Sequence, residues 1–350
     1  MKTSFNAFLI GTAALVIILA GIKLSVEIIV PFLLALFIAI ICSPIINFMT
    51  ARKVPHWLAI VLLFVLILLV FFFLFGLINN TVREFTASIP QYKILLAERI
   101  SSLKALAEKW NLPFVVPQET LLNELDPSSL MNFVSRLLLN FSNVVSNAFV
   151  LILVVIFMLL EAPTAKRKFA LAMSRSLDEV NKEERHIDRI LQSVIRYLGV
   201  KSLICFLTGF SIWLLLQFAG VQYAILWATL CFLFNYIPNI GAIIAAIPII
   251  LQTFLLNGFP TGFGVTIGIL ILNMLIGNVL EPKLMGRSLG LSTLVIFLSL
   301  LFWGWLLGTV GMLLSIPLTM VIKIALESNP NTLRYAALLG DVSILEDSGK

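Results

Sequence analysis

The sequence holds little of what enzymes use. Histidine occurs twice in 350 residues, as His56 and His186, far apart in sequence, and neither has a cysteine or a second histidine at ligand spacing. That argues against a histidine metal site and against a catalytic triad. The three cysteines, Cys42, Cys205 and Cys231, all sit inside apolar runs. They read as small buried hydrophobes and not as a disulfide framework. No G-x-x-x-x-G-K-[ST] string occurs, so the chain has no phosphate-binding loop of its own. Charge is scarce too: Asp, Glu, Lys and Arg make up 12% of the residues, about half the usual share. No metal and no cofactor is expected, and an enzyme is the least expected class.

What the chain has instead is apolar surface. Hydrophobic residues reach 60%, and the mean hydropathy is +1.06. A soluble globule of this size cannot hide so much. The expected fold class is an all-α, polytopic membrane protein with about six full spans plus two interrupted hydrophobic segments. The net charge of +6, from 24 basic and 18 acidic residues, reads as cytoplasmic-side anchoring and not as nucleic-acid binding.

A span takes about 20 apolar residues. Phe5–Ile22 qualifies, flanked by Lys2 and Lys23. No small-x-small cleavage site follows Ala20-Gly21, so an uncleaved helix is favoured over a signal peptide. Ile28–Phe48, ending near Pro44, and His56–Ile78 complete an N-terminal three-span region, 1–78. Residues 79–140 balance six bases against six acids and carry an amphipathic pattern at Leu96, Ile100, Leu103, Ala107 and Trp110. They read as an extracytoplasmic helical insert. The fourth span, 141–161, is expected to stop at Pro163, and 162–196 follows as a charged helix running into a fifth span, Tyr197–Phe218. Arg52 and Lys53 in the second short connection place it in the cytoplasm, and the count then puts both termini inside. The tail, 324–350, is cytoplasmic in this reading.

The transport core is expected at 197–323. Gln222–Leu256 is a 35-residue apolar segment broken at Asn235-Tyr236-Ile237-Pro238-Asn239-Ile240-Gly241. Leu291–Lys323 is a 33-residue segment broken at Gly308-Thr309-Val310-Gly311. One straight helix of that length would reach about 50 Å, far beyond a core of about 30 Å. Two full crossings need about 40 residues and a turn. Re-entrant hairpins remain, with Gly262–Leu280 as an uninterrupted span between them.

Non-helical backbone at membrane depth is tolerated only against protein or a wet cavity, and paired broken segments point to a transport site. The candidate substrate-binding or gating residues are therefore Asn235, Pro238, Asn239 and Gly241 on the first break, and Gly308 and Gly311 on the second. Asn273, Asn278 and Glu281 join them from the intervening span, with Ser292 and Thr293 after it. Each has a plainer reading. Pro238 and Gly241 fit a simple loop, the Gly304, Gly308 and Gly311 set fits close helix packing, and a single asparagine fits an interhelical hydrogen bond. Glu281 and Glu161 each end a span beside a proline, which fits interfacial residence as well as proton relay.

The break motif, together with Glu281-Pro282-Lys283-Leu284-Met285-Gly286-Arg287-Ser288-Leu289-Gly290-Leu291-Ser292 and Phe302-Trp303-Gly304-Trp305, resembles the autoinducer-2 exporter family of bacterial membrane proteins. So do Ile28-Ile29-Val30-Pro31-Phe32 and Phe157-Met158-Leu159-Leu160-Glu161. The resemblance implies export of a small polar quorum-sensing signal, autoinducer-2, across the cytoplasmic (inner) membrane. It also implies a homo-oligomer, with a pentamer as the working number. Its partners would be that signal and the lipid bilayer, with no nucleic acid. Other members imply sodium/proton antiport, and a non-transporting membrane scaffold is the reading from another class.

Overall fold

A computed structural model describes residues 2–69, 148–174, 177–238, 240–285, 290–328 and 332–340, with 72, 73, 76 and 101 as isolated positions. The insert expected at 79–140 lies outside them apart from Ser101. Among the described residues every regular element is a helix, and the only extended pairing is an isolated antiparallel bridge between Leu291 and Gly340. The protein is all-α and carries several helices apolar enough to cross a membrane.

Helix α1 covers Lys2–Leu24, α2 Val26–Ala51 and α3 His56–Leu69. After the insert come α4, Ala148–Met173, and α5, Leu177–Phe218. Next are α6, Ala224–Phe234, and α7, Ile240–Leu256. Helix α8, Phe259–Asn273, continues through a π-helical stretch, Met274–Leu280, into the short α9, Glu281–Met285. Helix α10 covers Thr293–Glu327 and α11 Leu333–Leu339. The described residues form two compact units, one from 1–65, 148–201 and 284–350, the other from 66–147 and 202–283.

In the first unit, Ala35, Ala39, Cys42 and Ile46 of α2 recur at helical spacing. They pack against Ala59, Ile60 and Leu63 of α3 and against Val155 and Leu159 of α4. The alanines let the helix backbones approach closely, which suits association in lipid. Two expected helix ends are corrected here. Helix α2 runs through Pro44 to Ala51, and α4 runs through Pro163 to Met173. Pro163 has no N–H, so the Leu159 carbonyl one turn earlier loses its helical donor. His56 replaces that donor, its Nε2 lying 3.1 Å from the Leu159 oxygen. A carbonyl can only accept, so Nε2 carries the proton. The charged stretch after α4 is likewise not one helix: it breaks after Met173, and α5 restarts at Leu177.

In the second unit, Ile212 and Leu216 of α5, Trp227 and Cys231 of α6, Ala245 and Ile249 of α7, and Val265 and Ile269 of α8 form one buried cluster. The span expected at Gly262–Leu280 starts earlier, at Phe259, and its last third winds as a π-helix. A π-helix is a local widening that leaves the helix continuous while shifting its side chains, and it recurs at functional positions.

Candidate functional site

Both interrupted segments fold back on themselves. In the second unit, α6 and α7 are the arms of an antiparallel helical hairpin. Trp227 Nε1 donates to Gln252 Oε1 at 2.7 Å, and Gln252 Nε2 donates to the Gln222 carbonyl at 3.0 Å. Asn257 Nδ2 donates to the Gly220 carbonyl at 3.1 Å. Residues before α6 therefore lie beside residues at the end of α7, so the hairpin's two ends are together. Gln252 is 5% exposed, and its amide is satisfied on both atoms within the hairpin.

The tip of this hairpin is a tight backbone turn. Ile237 N–H donates to the Phe234 carbonyl at 2.8 Å, Ile240 N–H to the Pro238 carbonyl at 2.6 Å, and Gly241 N–H to the Ile237 carbonyl at 3.2 Å. A Cβ on Gly241 would overlap the Phe234 carbonyl oxygen, so only glycine lets the arms close here. Two side chains tie the tip to α5. Asn235 Nδ2 donates to Thr208 Oγ1 at 3.1 Å, and Tyr236 OH donates to Ser202 Oγ at 2.9 Å. Pro238 is buried within the turn, and Asn239 lies outside the described residues.

The second interrupted segment, in the first unit, is two helical arms joined at Gly308. Gly308 sits at φ 70° and ψ −150°, and the chain reverses there. Trp303 Nε1 donates to Thr319 Oγ1 at 3.0 Å across the arms 293–307 and 309–327. A Cβ on Gly311 would overlap the Trp303 carbonyl oxygen, and one on Gly304 would meet the Met312 side chain. At the open end, Lys323 Nζ donates to the Gly290 carbonyl at 2.6 Å. A straight helix would hold those residues about 50 Å apart. The whole 35-residue run is long enough to cross a membrane as one helix, but it is folded as a hairpin whose two ends lie together.

That open end is held by several polar contacts. Lys323 also pairs with Glu327 at 3.4 Å, and the Ser292 N–H donates to the Leu339 carbonyl at 3.2 Å. Ser328 Oγ lies 2.8 Å from His186 Nδ1. The Lys323 side chain is 14% exposed. We predict that Lys323→Met lowers the protein's stability by about 1.5–3 kcal/mol, the range for a charge-assisted hydrogen bond. The fall in thermal unfolding temperature of the detergent-solubilised protein measures it, and Lys323→Arg should recover most of the loss.

The structure separates some residues that the sequence groups together. Ser292 caps the first arm, its Oγ accepting from Val295 N–H at 3.3 Å, and Thr293 follows as the first, exposed helical residue. Both lie at the open end of the second hairpin, an arm's length from Gly308, or about 22 Å at the helical rise. They do not converge with its tip. Asn273 is half-buried at the end of α8, Asn278 is exposed within the π-helix, and Glu281 is half-buried at the start of α9. Glu161 is exposed on α4 and accepts from Lys168 Nζ and Thr164 Oγ1, so its carboxylate is already paired on its own helix.

Three side chains of note escaped the sequence reading. Ser202 and Thr208 receive the hairpin tip, and Lys201, inside the expected fifth span, is 3% exposed. A buried cation at that position is costly in a membrane and marks function by default. The signal was present, since Lys201 is the only charge between Arg196 and Phe218. In the first unit, Ser43, Asn47, Thr50 and His56, with Leu159 and Pro163, line a hollow of about 580 Å³. No group of three or more His, Cys, Asp or Glu suited to a metal occurs among the described residues.

A family model for AI-2E family transporters matches residues 12–331. A protein of Haemophilus influenzae is 70% identical over 95% of this chain and 96% of its own length, and its name gives no substrate. The AI-2 transport protein TqsA of Escherichia coli K12 is 44% identical over 94% of both chains. YhhT of the same organism, whose name also gives no substrate, is 39% identical over 97% of this chain and 95% of its own.

Proposed function

This chain belongs to the AI-2E transporter family, and on that premise we propose that it exports autoinducer-2, or a similar small polar metabolite, across the cytoplasmic membrane by alternating access. The observation that carries this reading is the pair of helical hairpins turning at Asn235–Gly241 and at Gly308. Hairpins of this kind expose helix ends and bare peptide groups at depth, where they replace the water around a polar solute. For a polyhydroxylated signal each hydroxyl needs such a partner, because leaving one unpaired costs about 1–3 kcal/mol. The hairpins are re-entrant in this reading, both termini are cytoplasmic, and the working unit is a homo-oligomer.

Without a phosphate-binding loop, the chain moves its solute downhill or against an ion gradient. The test compares extracellular autoinducer-2 in cells lacking the protein and in cells overproducing it, followed by efflux from loaded vesicles. Extracellular signal should fall severalfold on deletion and rise on overproduction. Vesicles that take up or release protons when sodium is added, and leave the signal untouched, would replace export by antiport. Absence of both fluxes would leave the scaffold reading.

A further inference from the structure

A row of arginines stands on the outer face of α5, just ahead of its apolar part. Arg185, Arg189 and Arg196, with Gln192 and Ser193, line a hollow of about 660 Å³ that also includes Asp188. At about 100° per residue, Arg185, Arg189, Gln192 and Arg196 fall within an arc of about 60° on one side of the helix. The buried residues Val180, Val194 and Leu198 lie on the opposite side. The row extends about 16 Å along the axis.

Two neighbouring acids, Asp188 and Glu184, are engaged by a lysine of another helix. Lys166 of α4 pairs with Asp188 at 2.6 Å and reaches Glu184 at 3.9 Å. Asp188 is thereby neutralised beside the hollow, and the three guanidiniums have no acid within ion-pair distance among the described residues. Three exposed, like-charged side chains held in one row repel one another unless an anion sits between them. The helix runs without a break from this row into Tyr197–Phe218, so the arginine nearest the apolar part, Arg196, stands where a membrane helix meets the lipid headgroups.

We propose that Arg185, Arg189 and Arg196 form a docking strip for the phosphate headgroup of an anionic phospholipid. Guanidinium matches a phosphate through two parallel N–H bonds, and basic hollows beside membrane helices take such headgroups. The strip is independent of the transport reading and of the solute carried.

The test uses the full-length protein in detergent, with bound lipid counted by native mass spectrometry after adding cardiolipin, phosphatidylglycerol or phosphatidylcholine. Anionic lipid should stay bound in preference to phosphatidylcholine, and retention should fall roughly fivefold for each arginine replaced by glutamine. The triple variant R185Q/R189Q/R196Q should therefore lose it almost entirely, while the lysine triple R185K/R189K/R196K keeps most. As a control, K53Q/R167Q/R334Q removes the same charge from exposed positions on other elements and should retain lipid like the parent. Should the glutamine triple not fold, R196Q alone carries the comparison. Equal loss from the strip and control variants, equal retention of phosphatidylcholine, or displacement of the lipid by inorganic phosphate alone would overturn the proposal.

Discussion

Gly241→Leu is expected to abolish signal efflux from loaded vesicles and to lower stability by at least about 3 kcal/mol. The reason is steric and local. Gly241 opens the second arm of the α6–α7 hairpin, and a Cβ there would occupy the same space as the Phe234 carbonyl oxygen. Overpacking usually costs about 1–3 kcal/mol, because side chains can give way. Here the obstacle is backbone, already committed to a hydrogen bond from Ile237 N–H, so the arms must spread. Spreading also pulls Asn235 and Tyr236 from Thr208 and Ser202. Alanine should behave nearly as badly as leucine, since the first carbon added is the one that collides. Gly264 in α8 provides the comparison. Nothing lies within 4 Å of a Cβ there, so Gly264→Ala should be neutral or slightly stabilising. Normal efflux from a folded Gly241→Leu protein would show that the hairpin tip takes no part in transport.

Much of this architecture is legible in the residues alone. Length against bilayer thickness argues against a single straight helix for 222–256 and for 291–323, and both segments do fold back. The long α5 was readable as well, because the apolar stripe at Leu177, Val180, Ile187, Leu191 and Val194 continues without a stop signal into Tyr197–Phe218.

What escaped depends on partners distant in sequence. Proline ends a helix when the carbonyl it strands has nowhere to turn, but Leu159 finds His56 on another helix. No local pattern announces that. The π-helix at Met274–Leu280 has an ordinary apolar composition and no sequence signature. Ser292 was readable as a helix cap from its place before Thr293-Leu294-Val295. Its Oγ accepts from Val295 N–H, so the hydroxyl serves the helix start. The second break also proved shorter than Gly308-Thr309-Val310-Gly311 implies. Only Gly308 leaves helical geometry, while Gly311 already belongs to the second arm and serves its close approach to Trp303.

Gly308 gives the other large effect, and its signature differs from that of Gly241. No atom lies within 4 Å of a Cβ at this position, so there is room for a side chain. The obstacle is the backbone itself. At φ 70° and ψ −150° the residue occupies a region that is essentially restricted to glycine, and any other residue costs about 1–3 kcal/mol. Alanine, leucine and asparagine at 308 should therefore destabilise by nearly the same amount, independent of size. Asparagine is the informative member of the set. It often substitutes for glycine in left-handed turns, but there ψ is near +47°, which leaves the Gly308 geometry unserved. The expected result is three unfolding temperatures that fall together and efflux reduced about tenfold or more in each, because the second hairpin can no longer turn at its tip. Recovery by asparagine alone would mean that the chain reverses there through an ordinary left-handed turn. A graded loss with side-chain volume would mean that the tip is packed against protein, and neither result is compatible with an open, glycine-only reversal.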